Sequence, residues 1–351
     1  MARILLADDG IEFDGQTPGQ RPLGGVESSI VNLTQELAKR GHEVFVRNKC
    51  RAPLTFKGVH WHPIDDGPWP GDIDLYIANR GDKLIKRMPA ARRSVFWIHN
   101  PAGYLLKWRY LWKLWQVKPA IVFIGDYHAT TYPAWAPGGE RIVIPYGMAD
   151  EFCQAQPLAK VPPPRAIFTS NPLRSLDWLM QLWAEAIEPR VPGAELHLFT
   201  GAATYGAVGD KKAALMAQTI ERAEALAGQG VRVRGPVSKP TLIEEFTSAR
   251  CMLYRGDINE TFCLAVGEAQ ASGVPAVVTR LGSVVERVRD SETGFIASSD
   301  QEFVDHAVEL LSNESLWRAQ HEAALALQKN WRWPDAAARF EQLLPAPGKR
   351  S

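Results

Sequence analysis

A chain of 351 residues with 46% hydrophobic content can bury two well-cored domains. Its 40 Lys and Arg against 39 Asp and Glu leave a formal net charge of +1, so no global field gathers nucleic acid or anionic surfaces. The first 150 residues hold 19 basic against 15 acidic side chains, a mildly basic half before a mildly acidic one.

The opening "MARILLADDG" enters a buried-strand pattern at once, with no signal-peptide pattern. Val26, Ile30, Leu33 and Leu37 then recur at helical spacing over 26–40. "HEVFV", "DLYIA", "SVFWI", "AIVFI" and "RIVIP" follow as short apolar runs, each a buried strand in prospect. The Pro-rich, aperiodic "AQPLAKVPPPR" within 151–165 reads as a linker. A second series runs "RAIFT", helix 175–188, "ELHLF", helix 210–228, "VRVRG", helix 240–249, "CMLYR", helix 262–272 and "PAVVT", with further helices to about 345 and a frayed 346–351. Strands interleaved with helices imply parallel sheets covered on both faces. The expectation is α/β, with two Rossmann-like domains facing a cleft at the carboxyl ends of their strands. Cys50, Cys153, Cys251 and Cys263 are widely spaced without a CxxC pair, which fits a reduced cytoplasmic setting without structural zinc. No apolar stretch approaches the roughly 20 residues that span a bilayer.

Chemistry concentrates in the loops after these strands. Gly24 and Gly25 precede a helix, where backbone amides can approach a diphosphate; a flexible turn is the plainer reading of such a pair. Ser170, Asn171 and Arg174 lie where a helix begins, and a fixed cation there suits a leaving diphosphate, or simply caps the helix in solvent. His99 ends a first-domain strand, and Arg80 ends the preceding one; Arg80 can meet a phosphate or an acidic acceptor, or pair with Asp82 at the rim.

The stretch 259–280, "NETFCLAVGEAQASGVPAVVTR", sets Glu260 before a helix start near Phe262 and Glu268 inside it, about 9 Å along. The free amides of Phe262, Cys263 and Leu264 would then face the cleft. One carboxylate for a sugar, helix amides for phosphates and one carboxylate for a ribose suit a nucleotide-sugar.

That stretch resembles the E-x7-E signature of retaining glycosyltransferases with the GT-B fold, a large bacterial group of mannosyl-, glucosyl- and N-acetylglucosaminyltransferase-like enzymes. "GGVESSIVNLTQELAKRGHEVFV", "RIVIPYGMADEF" (with Tyr146 in place of the usual Asn), "TRLGSVVERVRDSETGFIA" and "NWRWPDAAARFEQLL" are similar to further segments of that family, in the same order. The resemblance implies an acceptor domain over 1–152, a nucleotide-sugar domain over 153–330, and a helix in 331–351 returning to the first domain. It implies that Glu268 binds the ribose and Glu260 the donor sugar, with Phe262, Cys263 and Leu264 beside sugar and phosphates. Arg174 falls at the family's usual Lys, with Ser170 or Asn171 near its usual Arg. Gly25 would approach the donor, His99 the reacting sugar and Pro236 the base, while Arg80 and Asn100 are assigned to the acceptor. Cys263 and Ser175 stand where the family has Gly.

The implied reaction moves a sugar from a UDP- or GDP-sugar to a bacterial glycan or lipid-linked glycan, with same-face attack and retained anomeric configuration. The catalytic assignments are His99, Glu260 and Arg174. Arg174 and helix dipoles replace a metal, no cofactor is required, and double displacement through Glu260 ranks second. The segment "GYLLKWRYLWKLWQVKP" at 103–119 mixes three Trp and two Tyr with Lys and Arg, so it either meets a membrane surface at its cytoplasmic face or covers the sheet. The competing functions are a nucleotide-sugar epimerase and a catalytically silent carbohydrate- or nucleotide-binding homologue.

Overall fold

The computed structural model describes residues 1–21, 23–201, 206–328 and 331–346. It divides into two compact units, Met1–Gly147 with Arg332–Ser351, and Met148–Trp331.

The first unit opens with β1 (Arg3–Asp8), α1 (Gly25–Lys39) and β2 (Glu43–Asn48). Ile30, Leu33 and Leu37 form the buried stripe of α1, while its other faces carry Glu36 and Lys39. β3 (Leu54–Phe56) and β4 (Val59–Pro63) make a hairpin across Lys57 and Gly58, both at positive φ (48° and 78°), as a tight two-residue turn requires. Then come β5 (Leu75–Asn79), β6 (Arg93–Trp97), α2 (Trp108–Val117), β7 (Ala120–Phe123), α3 (Asp126–Thr130) and β8 (Arg141–Val143). The sheet order is β3-β4-β2-β1-β5-β6-β7-β8, parallel except for β3. Chain order reverses direction at β1, so its carboxyl end and that of β5 mark the switch point, where open sheets bind ligands.

The second unit contains α4 (Asp150–Cys153), β9 (Arg165–Phe168), α5 (Leu176–Leu182), β10 (Glu195–Leu198), α6 (Gly206–Ala225), β11 (Val231–Val233) and α7 (Lys239–Thr247). It continues with β12 (Cys251–Tyr254), α8 (Leu264–Ala271), β13 (Ala276–Thr279), β14 (Gly294–Ala297), α9 (Asp300–Ser312) and α10 (Glu314–Gln328). Its sheet is wholly parallel, β11-β10-β9-β12-β13-β14, with the switch between β9 and β12. Trp183 and Trp317 are fully buried in this unit, as Trp61 and Trp97 are in the first.

The expected α/β class and parallel sheets are observed, with several differences. β3, β4 and β14 were not expected, because each is short and lacks a clean alternation. The helices expected from 175 and 262 begin at Leu176 and Leu264, since Ser175 (φ 58°) and Cys263 (φ 62°) hold left-handed backbone that cannot continue a helix. The Pro-rich segment is not the junction. The units part at 147/148 and 331/332, not at 152/153 and 330/331, and the segment is strapped onto the second unit. Arg250 Nε donates to Pro162 O at 2.7 Å, Leu158 N donates to His321 Nε2 at 3.0 Å, and Phe152 is buried against Phe246. Residues 347–351, read as frayed, lie outside the described residues.

The last helix, α11 (Trp333–Glu341), packs on α1 within the first unit. Glu341 pairs with Arg40 and, at 2.7 Å, with His42, while Phe340 meets Trp97 edge-on at 5.3 Å. Gly147 lies so close to this strand of chain that a Cβ would fall 2.1 Å from Trp333 N, a position only glycine tolerates.

Candidate functional site

In the second unit the switch point gathers four polar side chains. Arg174 reaches from the turn before α5 to Glu260, which lies in the loop between β12 and α8. The same carboxylate oxygen accepts the hydroxyl of Tyr254, the last residue of β12, and Ser170 lies 3.5 Å from that hydroxyl. Burial alone would lower the Arg174 guanidinium, but Glu260 and Tyr254 outweigh it and hold the group above its ordinary value. Burial pushes Tyr254 well up, so its hydroxyl stays a proton donor. The cation expected to face a diphosphate is therefore already paired with the carboxylate expected to face the sugar.

The Glu260 loop is shaped by its neighbours. Ser283 N donates to Glu260 O at 3.1 Å, and Glu260 N donates to Asp257 O at 2.8 Å. Gly282 (φ 63°) permits this approach, because a Cβ there would lie 2.1 Å from Asp257 O. Beyond the loop, Phe262 is buried beneath the Arg287 guanidinium, 4.3 Å from its ring centre. Cys263 is also buried, and burial first and Glu260 second raise its thiol well above the ordinary range. It is inert as a nucleophile at neutral pH. Leu264 opens α8, whose first N–H groups have no intrahelical acceptor.

Glu268, one turn into α8, is 18% exposed and 3.9 Å from Lys239 at the start of α7. Burial raises its carboxyl pKa and Lys239 only partly offsets this. Asn171 turns its side chain onto Leu173 N at 2.9 Å, closing the turn before Arg174. Pro236 is exposed beyond β11 and lies beside Gly201, which follows β10.

The first unit's switch point carries a closed polar network. Asp8, fully buried at the end of β1, accepts from Asn79 Nδ2 at 2.6 Å, Gly10 N at 3.0 Å and Arg80 Nε at 3.1 Å. Arg80 also donates to Glu27 of α1 at 2.8 Å. It does not pair with Asp82, which is held by Lys113 at 2.6 Å. Glu27 in turn lies over Gly24, so a carboxylate already occupies the α1 start where Gly25 was expected to receive a phosphate.

His99 is buried, with both ring nitrogens engaged. Nε2 meets Asn79 Oδ1 and Nδ1 meets the Tyr146 hydroxyl. Because Asn79 Nδ2 faces the Asp8 carboxylate, its Oδ1 must accept, which assigns the proton to His99 Nε2 and leaves Nδ1 to accept from Tyr146. Burial and then Arg80 push the His99 pKa well below its usual value, in keeping with that neutral tautomer. Asn100 is exposed, and its carbonyl accepts from His128 Nε2 at 2.9 Å.

Of the expected site residues, the structure thus brings together Ser170, Arg174 and Glu260, and separately Arg80 and His99. It leaves Glu268 on α8 beside Lys239, Pro236 beyond β11, and Asn100 beyond β6 in the first unit. Tyr254, Lys239, Asp8, Asn79 and Glu27 were missed, since a strand-end Tyr or Asp carries no spacing signal. Tyr146 had been noticed only as a departure from a familiar segment.

Residues 164–313 match the family model described as glycosyl transferases group 1. That match lies wholly within the second unit. The chain is 33% identical over 87 residues to a D-inositol 3-phosphate glycosyltransferase of Corynebacterium aurimucosum, 24% of this chain and 21% of that one. Across 93% of this chain and 91% of the relative, it is 28% identical to the Corynebacterium diphtheriae protein of the same name. Two solved structures share the whole fold. The sucrose-phosphate synthase of Thermosynechococcus elongatus superimposes with a TM-score of 0.73 at 15% identity, covering 98% of each chain. Anabaena HepE, solved in complex with UDP-glucose, gives 0.71 at 14%, covering 97% of this chain and 99% of its own. The chain therefore has the GT-B fold that its sequence resembled.

Proposed function

We propose that this glycosyltransferase moves a sugar from a UDP- or GDP-sugar to a bacterial glycan or lipid-linked glycan, with retention of anomeric configuration. The observation that carries the reading is the Arg174–Glu260–Tyr254 cluster at the switch point of the unit that holds the match to glycosyl transferases group 1. A relative of the same architecture was solved with UDP-glucose, and two others are named D-inositol 3-phosphate glycosyltransferases.

In this reading the donor lies across the start of α8. Glu260 hydrogen-bonds the sugar, Glu268 the ribose hydroxyls, and Pro236 flanks the base. Phe262, Cys263 and Leu264 offer backbone along sugar and diphosphate. As the donor takes Glu260, Arg174 turns to the diphosphate, and with the amino-terminal dipole of α8 it stabilises the negative charge of the leaving group. Ser170 and Asn171 shape the turn that presents Arg174. No metal is needed in this scheme, because the chain supplies the positive charge. The acceptor hydroxyl attacks from the face the diphosphate leaves.

On the first unit, His99 and the Arg80 network line the acceptor side together with Asn100, and Gly25 opens α1. His99 acts there by positioning: its Nε2–H is committed to Asn79. Segment 103–119 contacts the cytoplasmic face of a membrane, where a lipid-linked acceptor resides.

The test is a donor-hydrolysis panel across UDP- and GDP-sugars, reading released nucleotide. Release from one donor class, abolished by Glu260→Gln, supports the reading. Binding without release from any donor makes the chain a silent sugar- or nucleotide-binding homologue and overturns it.

A further inference from the structure

Residues 83–118 hold nine Lys and Arg and no Asp or Glu, in a chain whose net charge over its whole length is only +1. α2 turns this run outward. Tyr110 and Leu114 face the core of the first unit, while Trp108, Trp112 and Trp115 are 73%, 44% and 57% exposed. Their indoles stack in sequence, with centroids 5.8 and 5.2 Å apart. Three stacked, solvent-facing Trp are costly on a surface meant only for water.

Trp108, Trp112 and Gln116 share one i, i+4, i+8 ridge, and the ridge ends at a cavity. Gln116 lines it, with Lys86, Arg92, Arg93 and Lys118, in a volume of about 830 Å³. Glu140 is the one acid in its wall, and Arg93 Nη2 holds it at 2.8 Å. Arg92 is paired with Asp74. Lys86 and Lys118 have no carboxylate partner among the described residues, and Arg93 Nε is buried there without a hydrogen bond. Ile85, Met88, Pro89 and Val117 supply an apolar wall. Uncompensated cations beside apolar side chains, continuous with an indole ridge, match the boundary of an anionic bilayer: phosphates in the cavity, rings among the acyl carbonyls.

The cavity lies at the amino ends of β6 and β7, where Arg93 and Ala120 begin those strands, away from the carboxyl-end chemistry described above. α2 runs from one end to the other. We propose that the Trp108–Trp112–Gln116 ridge and this basic cavity dock the protein on an anionic bilayer, with a phospholipid headgroup phosphate seated against Lys86, Arg93 and Lys118. This deepens, and rests on, the reading that segment 103–119 meets a membrane.

Vesicle flotation of the full chain tests it, on pure phosphatidylcholine and on an equimolar mixture with phosphatidylglycerol. Three proteins are compared: wild type, the cavity variant Lys86→Glu/Lys118→Glu, and the ridge variant Trp108→Ser/Trp112→Ser/Trp115→Ser. Wild type is expected to float with the mixed vesicles at low salt and to detach as salt rises. The cavity variant should lose at least about tenfold in affinity, since each juxtamembrane cation contributes on the order of 1 kcal/mol. The ridge variant should lose binding to both vesicles.

Three results would overturn the headgroup site. One is a cavity variant that binds like wild type while the ridge variant fails; membrane contact then survives and the headgroup site does not. A second is no flotation of wild type on mixed vesicles, which removes both. A third is displacement from vesicles by inorganic phosphate or a single-stranded oligonucleotide at low concentration, which assigns the cavity to a soluble polyanion. Because the variants are at surface positions, far-UV circular dichroism should match wild type.

Discussion

Arg174 and Glu260 hold each other in the second unit, and the Tyr254 hydroxyl shares the same carboxylate oxygen. The two groups assigned to opposite parts of a donor are therefore mutually satisfied before any donor arrives. On the proposed assignments, donor binding exchanges one ion pair for two new contacts, and the resting pair is expected to hold down affinity for the nucleotide alone.

Glu260→Gln separates these effects. Turnover should fall about 10²- to 10³-fold, the usual cost of a lost electrostatic contact in the transition state. The freed Arg174 should bind a nucleoside diphosphate more tightly, several-fold by isothermal titration. Unchanged turnover together with unchanged diphosphate affinity would exclude both roles. Arg174→Met should cost about 2 kcal/mol of stability, below the range of a fully buried pair because its side chain is 33% exposed.

Ser175→Gly and Cys263→Gly make a matched pair. Both residues hold left-handed backbone, at φ 58° and 62°, where a side chain costs energy that glycine avoids. Ser175→Gly should stabilise by about 0.5–1 kcal/mol in urea melts. Cys263→Gly gains the same relief but gives up a buried thiol, so the net change should be near zero. Cys263→Val, β-branched at that φ, should be clearly destabilising; a neutral result would contradict the strain argument.

Arg80→Ala tests the first unit's network. It strands Asp8, wholly buried, and Glu27 without their shared cation, and should cost about 3–5 kcal/mol. A loss under about 1 kcal/mol would mean that the network is solvated in practice.

Acid should destabilise the first unit through its histidines. His128 is lowered to about 4 by burial, and His99 lies well below its usual value for the same reason. In the unfolded chain both charge near pH 6.5. A depressed folded pKa means stability is full above pH 6.5 and is lost as pH falls toward 4, by at most about 1.4 kcal/mol per pH unit for each proton. His128→Gln should flatten that slope between pH 6.5 and 4 by one proton's share. Equal slopes would place the acid sensitivity elsewhere.

Glu268 carries the opposite sign. Its folded pKa is raised by burial, so the ionised carboxylate is a liability at neutral pH that disappears as the group protonates. Glu268→Gln should therefore stabilise at pH 7, with the gain shrinking toward pH 4, while nucleotide binding weakens. A variant equally stable and equally tight-binding would remove the assigned contact with the ribose.

The parallel sheets were legible because buried strands are continuous apolar runs, as in "RILLA" and "CMLYR", and helical faces repeat as cleanly as Ile30, Leu33 and Leu37. The second unit's site was legible in part, since Arg174 and Glu260 each sit in a loop between a buried strand and a helix start. Their pairing was not, because 86 residues separate them and only the sheet order brings their loops together. The His99 network was hidden for the same reason. Its members come from the ends of β1, β5, β6 and β8 and the first turns of α1, and a lone His or Tyr at a strand end has no local pattern. The junction was misplaced because proline marks an extended chain without revealing whether that chain is strapped down, as Arg250 and His321 strap this one.

The return of α11 to the first unit has a consequence for synthesis. Met148 N and Trp331 O, at the two ends of the second unit, are joined by a 3.0 Å hydrogen bond, so that unit is an insertion with adjacent ends. Every residue of that unit has been synthesised by Trp331, whereas the first unit waits for Trp333, Phe340 and Glu341. The middle of the chain is complete first, and the portion translated earliest is the last to close.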